Sequence, residues 1–154
     1  MALSHTNEVV YKYTAGGTTY EKTATRTESS GAEINLSEAL TTDSSTDTTA
    51  LTIGGFEFAT KAKAKSVYFR MDCPTATNGA DASVVITDQS GGAVVTLIHG
   101  QPYTWSDNGG NNFPLSTSAN PLNDSITALT VTPAAGIGTS KAVTITAFVL
   151  YDPT

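Results

Sequence analysis

Cysteine is nearly missing from this sequence. The 154-residue chain holds one, Cys73, so no disulfide closes within it, and durability has to come from packing or from association with other chains. The single thiol, at the end of an apolar segment, reads as buried and inert. Its two histidines, His5 and His99, are far apart and fall into no zinc-ligand spacing. Charge is scarce too. Asp, Glu, Lys and Arg make up 14% of the residues and sum to −6. Nucleic-acid binding relies on Lys and Arg displacing counterions from phosphates, so this balance argues against a nucleic-acid partner. No apolar run approaches the ~18 residues of a membrane span. The opening residues MALSHTNEVVYKY carry neither the basic nor the apolar region of a signal peptide. The expectation is a soluble product of a cytoplasm. Helical periodicity is absent as well, because no segment of ordinary helix length shows apolar residues at three- and four-residue spacing.

What fills the chain instead is Thr, Ser, Asn, Gly and Ala around a 39% hydrophobic fraction, enough for one core. Thr favours strands because its branched β-carbon suits a pleated surface while its hydroxyl meets water. Segments with a two-residue period recur along the chain. Glu8–Tyr13 and Thr18–Arg26 flank Thr14-Ala15-Gly16-Gly17, a turn whose glycines accept positive φ, and predict a hairpin. Its return strand is polar on both faces apart from Tyr20 and Ala24, which predicts an edge or a projecting arm. Residues 27–47 look least ordered; within them Glu33–Leu40 reads as a short strand or as one helical turn opened by Ser37. The DSSTD run there is rich in oxygen ligands but lacks the glycine and final glutamate of a calcium loop, so a solvated loop is expected.

Strands are expected at Ala50–Ile53, at Phe56–Phe58 beyond a Gly54-Gly55 bend, and at Ser66–Cys73. In the last, Val67, Phe69, Met71 and Cys73 share one face and Tyr68, Arg70 and Asp72 the other. Asn78-Gly79 marks a turn. Ser83–Trp105 predicts a central hairpin, followed by a turn cluster at Ser106–Pro114 and a loop to Asp124. Ile126–Thr132 and Lys141–Tyr151 close the chain. The apolar run Phe148-Val149-Leu150 predicts a last strand lying centrally in a sheet or inside a subunit interface. Nine or ten short strands between Gly, Pro and Asn turns give the fold class: all-β, a β-sandwich of jelly-roll type with an N-terminal hairpin or arm. The expected division is an arm at 1–30, serving assembly, and a sandwich at 31–154.

Candidate chemistry is thin. A Ser-His-Asp set drawn from His99, Asp107 and a serine has no nucleophile-elbow sequence behind it. His99, at the turn His99-Gly100-Gln101-Pro102, reads as a partly buried histidine bonded to backbone. Gly91-Gly92 and Gly109-Gly110 precede no helix, so they cradle no phosphate. No catalytic, cofactor-binding or metal residue is assigned. Lys61, Lys63 and Lys65 alternate on one strand face, either meeting an acidic neighbour or guarding a strand edge. Two sets of residues are candidates for binding. Val9, Tyr11, Tyr13 and Tyr20 form a contact patch for a partner, or ordinary cross-strand aromatic pairs. Tyr103 and Trp105, two apart on one strand, with Asp107, Asn108, Asn111 and Asn112 at its end, form a candidate sugar platform, or a core pair with a polar loop.

The succession KSVYFRMDC, VVITDQSGGAVVTLIHGQPYTW, GGNNFPLS and ITAFVLYDP resembles the small β-sandwich structural proteins of tailed bacteriophage virions, over roughly residues 65 to 153. The resemblance implies a non-enzymatic virion protein made in the host cytoplasm. It would be a capsid decoration or cement protein, or a tail attachment, without cofactor and often trimeric, with the major capsid protein or other virion proteins as partners. The alternative is a carbohydrate-binding or receptor-binding module of a phage tail or head fibre.

Overall fold

The two-residue period of the sequence is realised as ten strands, with no helix among the described residues. The computed structural model describes residues 2–42, 51–52, 63–79, 81–107, 120–122 and 128–152. In chain order the strands are β1 (Leu3–Ala15), β2 (Thr18–Ser30), β3 (Ala32–Thr41), β4 (Leu51–Thr52), β5 (Lys63–Asp72), β6 (Ser83–Asp88), β7 (Ala93–Ile98), β8 (Pro102–Ser106), β9 (Leu129–Ala135) and β10 (Ala142–Asp152). They form one four-stranded sheet in the order β3-β10-β5-β8, a second in the order β4-β9-β6-β7, and the two-stranded ribbon β1-β2. Every pairing is antiparallel. The expected strand at Phe56–Phe58, the Gly54-Gly55 bend and the DSSTD run lie outside the described residues.

The two larger sheets are joined by a single apolar cluster. From the first come Ile34, Val67, Phe69, Met71, Trp105, Val143, Ile145, Ala147 and Val149, and from the second Val84, Ile86, Leu97, Leu129 and Val131. Val67, Phe69, Met71 and Cys73 have no exposed surface. This is the inward face that the alternation of SVYFRMDC requires, since a strand sends successive side chains to opposite sides. Burying each large apolar side chain contributes roughly 1.5–3 kcal/mol, so the facing rows of β5 and β10 anchor the body.

Residues 32–41 are a full strand at a sheet edge, where the sequence left strand and helical turn open. Ile34 is buried and Leu36 and Leu40 are half-buried at alternate positions, all packed on the core. β10 is central, flanked by β3 and β5. Its run of apolar residues has a double use: Val149 enters the core, whereas Leu150, equally buried, points to the opposite face of the sheet. A register shift against β5 follows at Leu150/Tyr151.

The segment Ser83–Trp105 is not one central hairpin. β6 is interior to its sheet, but β7 is an edge strand, and β8 is the edge of the other sheet. The turn between β7 and β8 therefore carries the chain from one layer of the body to the other. It is fixed by backbone bonds from His99 N–H to the Ala82 carbonyl and from Gly100 N–H to the Met71 carbonyl, both 2.9 Å.

The ribbon packs on the outer face of the β3-β10-β5-β8 sheet. In its basal part, burial alternates in both strands: Leu3, His5 and Asn7 on β1 and Arg26, Glu28 and Ser30 on β2 are buried or half-buried, their neighbours exposed. These six residues face one another in register, Leu3 with Ser30, His5 with Glu28 and Asn7 with Arg26. They cover the outward row Glu33, Leu150, Ser66 and Ser106, one residue from each strand of the sheet.

Candidate functional site: the ribbon and its root

Four polar contacts fix the ribbon root. The His5 Nε2 lies 3.3 Å from the Glu33 carboxylate, and Asn7 Nδ2 donates to Ser66 Oγ at 3.3 Å. The Ser30 hydroxyl donates to the Tyr151 carbonyl at 2.7 Å, and the Ser106 hydroxyl to Glu28 at 2.6 Å in buried surroundings. Their partners lie in turn on β3, β5, β10 and β8, so the ribbon crosses the sheet obliquely. It passes its edge where Glu8 and Val9 share a cleft with Pro102 and Thr104.

From Glu8 to Thr25 every residue is exposed. At the rise of an extended strand, the eight residues from Glu8 to Ala15 reach about 25 Å. Gly16 and Gly17 close the tip with φ of 58° and 79°, the two consecutive positive values of a tight turn whose twist matches a hairpin.

This exposed length holds Val9, Tyr11, Tyr13 and Tyr20. The structure brings them together on one side of the ribbon: Tyr13 faces Tyr20 across the strands with rings stacked 4.9 Å apart at 13°, and Tyr11 tilts against Tyr13 at 5.8 Å. Cross-strand pairing accounts for that geometry, yet leaves much ring surface in water, with Tyr11 63% and Tyr13 and Tyr20 each 47% exposed. Val10, on the opposite side, is 40% exposed and was not singled out in the sequence. On that side Lys12 pairs with Glu21 at 2.8 Å.

The Tyr103–Trp105 pair is corrected by its surroundings. Trp105 is 5% exposed and belongs to the core, and Tyr103 packs against that core, its ring stacked 6.5 Å from Phe69. Register explains this, because Trp105 and Tyr103 face Val67 and Phe69 on β5 and share their inward side. No open aromatic platform remains there. Asp107 accepts from Lys65 Nζ at 2.7 Å, and Asn108, Asn111 and Asn112 lie outside the described residues. That contact realises one of the two readings of the lysine row. The hydrogen bond and then the charge of Asp107 raise the Lys65 pKa above its ordinary value. Lys61 and the side chain of Lys63 are likewise outside the described residues.

His99 Nδ1 accepts the Cys73 backbone N–H at 2.9 Å, so the imidazole is committed to holding the end of β5. Burial pushes the Cys73 thiol above its usual value, which keeps it protonated. Among the described residues no group of three or more His, Cys, Asp or Glu is placed to hold a metal.

One feature of the site had no signal in the sequence. Beside the ribbon root, a cleft of about 300 Å³ opens between β1 and the sheet. Its floor is the Tyr68–Phe148 pair, stacked 5.5 Å apart at 22°, and its rim includes His5, Asn7, Glu33 and Asn35. These residues come from four strands remote in sequence, and only the docking of the ribbon assembles them.

No protein-family model matches the chain, and no curated protein matches it significantly in sequence.

Proposed function

We propose that this chain is a non-enzymatic structural protein that works by assembly, using the exposed half of the β1-β2 ribbon as an arm against a neighbouring subunit. One observation carries the reading. Of the six large apolar side chains exposed among the described residues, five (Val9, Val10, Tyr11, Tyr13 and Tyr20) are on this arm and the sixth is Ile98. Tyrosine supplies broad contact area at low conformational cost, and a two-stranded arm with open edges suits strand addition to a partner's sheet.

The setting we propose is a bacteriophage virion, with the chain as a capsid decoration protein, trimeric, that clamps the major capsid protein or other virion subunits. The sequence resemblance supports it, and so does the strand pairing of the body. β3 pairs with β10, β4 with β9, β5 with β8 and β6 with β7. First is joined to last and so on inward, the order obtained by rolling up one long hairpin, which favours a jelly roll for this body, an architecture common in capsid and lectin domains. A second reading, saccharide or receptor binding, is favoured by the Tyr68–Phe148 cleft rather than by Tyr103 and Trp105.

Light scattering on the purified protein, paired with co-sedimentation on tailed-phage capsids stripped of their decoration, tests the assembly role. The expected result is an oligomer, a trimer first, that binds particles, and a Tyr11→Ser, Tyr13→Ser, Tyr20→Ser variant that melts like the parent but no longer associates. A protein that stays monomeric at all concentrations and leaves particles bare overturns it.

A further inference from the structure

We infer that the cleft at the ribbon root is a binding site for a neutral pyranose sugar. Volume sets the first limit. About 300 Å³ is at the small end of ligand pockets and accommodates a single six-membered ring rather than a nucleotide or a lipid chain. The floor sets the second. Asn35, Phe148, Tyr68 and Thr104 form one row across the outer face of the sheet, and in it the Phe148 and Tyr68 rings lie 5.5 Å apart and only 22° from coplanar. Two half-buried rings in this arrangement make a flat apolar strip bounded on both sides by polar side chains. A pyranose is the ligand that presents a matching C–H face with hydroxyls around its rim.

Charge narrows the class further. The rim holds one carboxylate, Glu33, and the imidazole of His5 is already against it at 3.3 Å. No Lys or Arg lines the cleft; Arg70, which bonds Tyr68, is paired with Asp72 at 2.9 Å, and Arg26 faces Asn7 across the ribbon. An anionic ligand therefore meets Glu33 with no Lys or Arg in the lining itself to offset it, which disfavours phosphates, uronates and sialic acids. Neutral hydroxyls suit the site instead, because a carboxylate accepts from two of them at once. The amides of Asn7 and Asn35 on the rim both donate and accept, as sugar hydroxyls do.

A sugar seated here touches β1 through His5 and Asn7 and the sheet through Tyr68 and Phe148. Occupancy consequently clamps the ribbon root to the body. The inference is independent of the assembly role, since none of these residues is on the exposed arm.

The test is NMR titration of the labelled protein with glucose, galactose, mannose and N-acetylglucosamine, and with glucuronate and N-acetylneuraminate as anionic counterparts. At least one neutral sugar is expected to shift the Tyr68 and Phe148 ring resonances and the amides of residues 4–7 and 33–35, and to slow amide exchange at 3–7. Tyr68→Leu, which keeps apolar volume but loses the flat ring, and Glu33→Gln, which removes a hydrogen bond to a charged group, should each weaken binding by about tenfold. Asn35→Ala, at an exposed position, should weaken it too with an unchanged melting temperature, so that the outcome does not depend on variants that loosen the ribbon. Absence of shifts with every neutral sugar at tens of millimolar overturns the inference. So do shifts that survive all three substitutions, or tighter binding of the anionic sugars.

Discussion

The hydroxyl of Ser106, at the end of β8, donates to the Glu28 carboxylate of β2 at 2.6 Å, and both residues are buried, at 3% and 4% exposure. A hydrogen bond to a charged group in such surroundings contributes about 1.5–3 kcal/mol. Ser106→Ala is expected to lose that amount and to release the ribbon root before the body. Hydrogen exchange should therefore accelerate at residues 3–7 and 26–30 while the amides of β5 and β10 keep their protection.

Truncations in the facing rows should separate core from arm. Phe69→Ala and Trp105→Ala each remove a ring enclosed by the core and should cost about 3–5 kcal/mol in urea unfolding. Tyr11→Ala, more than half exposed, should stay within about 0.5 kcal/mol of the parent. A small effect at Trp105 would place its ring at the surface after all.

Alkaline pH should destabilise the protein through two groups with the same sign. Lys65 has its pKa raised above 10.5, first by its hydrogen bond to Asp107 and then by that carboxylate's charge. The folded state thus prefers charged Lys65, and this contribution is present below the ordinary value and lost as pH rises through the raised one. Cys73 is raised above 9.0 by burial, so above that pH the unfolded chain ionises first and draws the equilibrium toward itself. Melting temperature should fall progressively from about pH 9 upward. Lys65→Met and Cys73→Ala should each flatten the slope.

At the ribbon tip the backbone decides. Gly17 has φ of 79° with open space around it, so Gly17→Ala meets no clash but strains an L-residue by roughly 1–2 kcal/mol. Because the tip is remote from the core, that strain should appear as faster amide exchange at Tyr13 and Tyr20 without a change in global melting. Gly16→Asn, a residue that tolerates positive φ in such turns, should be neutral.

Nitrogen NMR of His99 should show the tautomer with its proton on Nε2, because Nδ1 is occupied by the Cys73 N–H. His99→Phe leaves that amide without its acceptor and should lower stability by about 1–3 kcal/mol.

Strands that bury apolar side chains were legible in the sequence and docking by polar contacts was not. SVYFRMDC announces its inward face because four apolar residues alternate without a break, and Gly16-Gly17 announces its turn because two adjacent positive φ values suit glycine. The ribbon root, in contrast, seats itself with His5, Asn7, Arg26, Glu28 and Ser30. Nothing apolar marks those positions, and the pattern read alone begins the strand at Glu8 and ends its partner at Arg26. Residues 32–41 were ambiguous for a related reason: Glu38 interrupts the alternation of Ile34, Leu36 and Leu40. Trp105 misled as a candidate sugar platform because spacing along one strand fixes that two residues share a face, not which face turns inward. That choice is made by pairing with Val67 and Phe69, which are far away in sequence. The Tyr68–Phe148 cleft had no local signal, since neighbours in its row are brought together by sheet register alone.

The position of β10 has a consequence for how the molecule comes into being. The strand made last of the ten supplies the middle of one sheet, the Leu150 side chain under the ribbon, and the carbonyl that Ser30 holds. Until it leaves the ribosome, β3 and β5 have no common neighbour and the ribbon has nowhere complete to rest. Folding of this body is therefore expected to be a late, concerted event dominated by pairings distant in sequence, and slow for its size. The arm, a local hairpin with its own turn, has no such wait: it can form within microseconds of being made and precede the body that it will later project from.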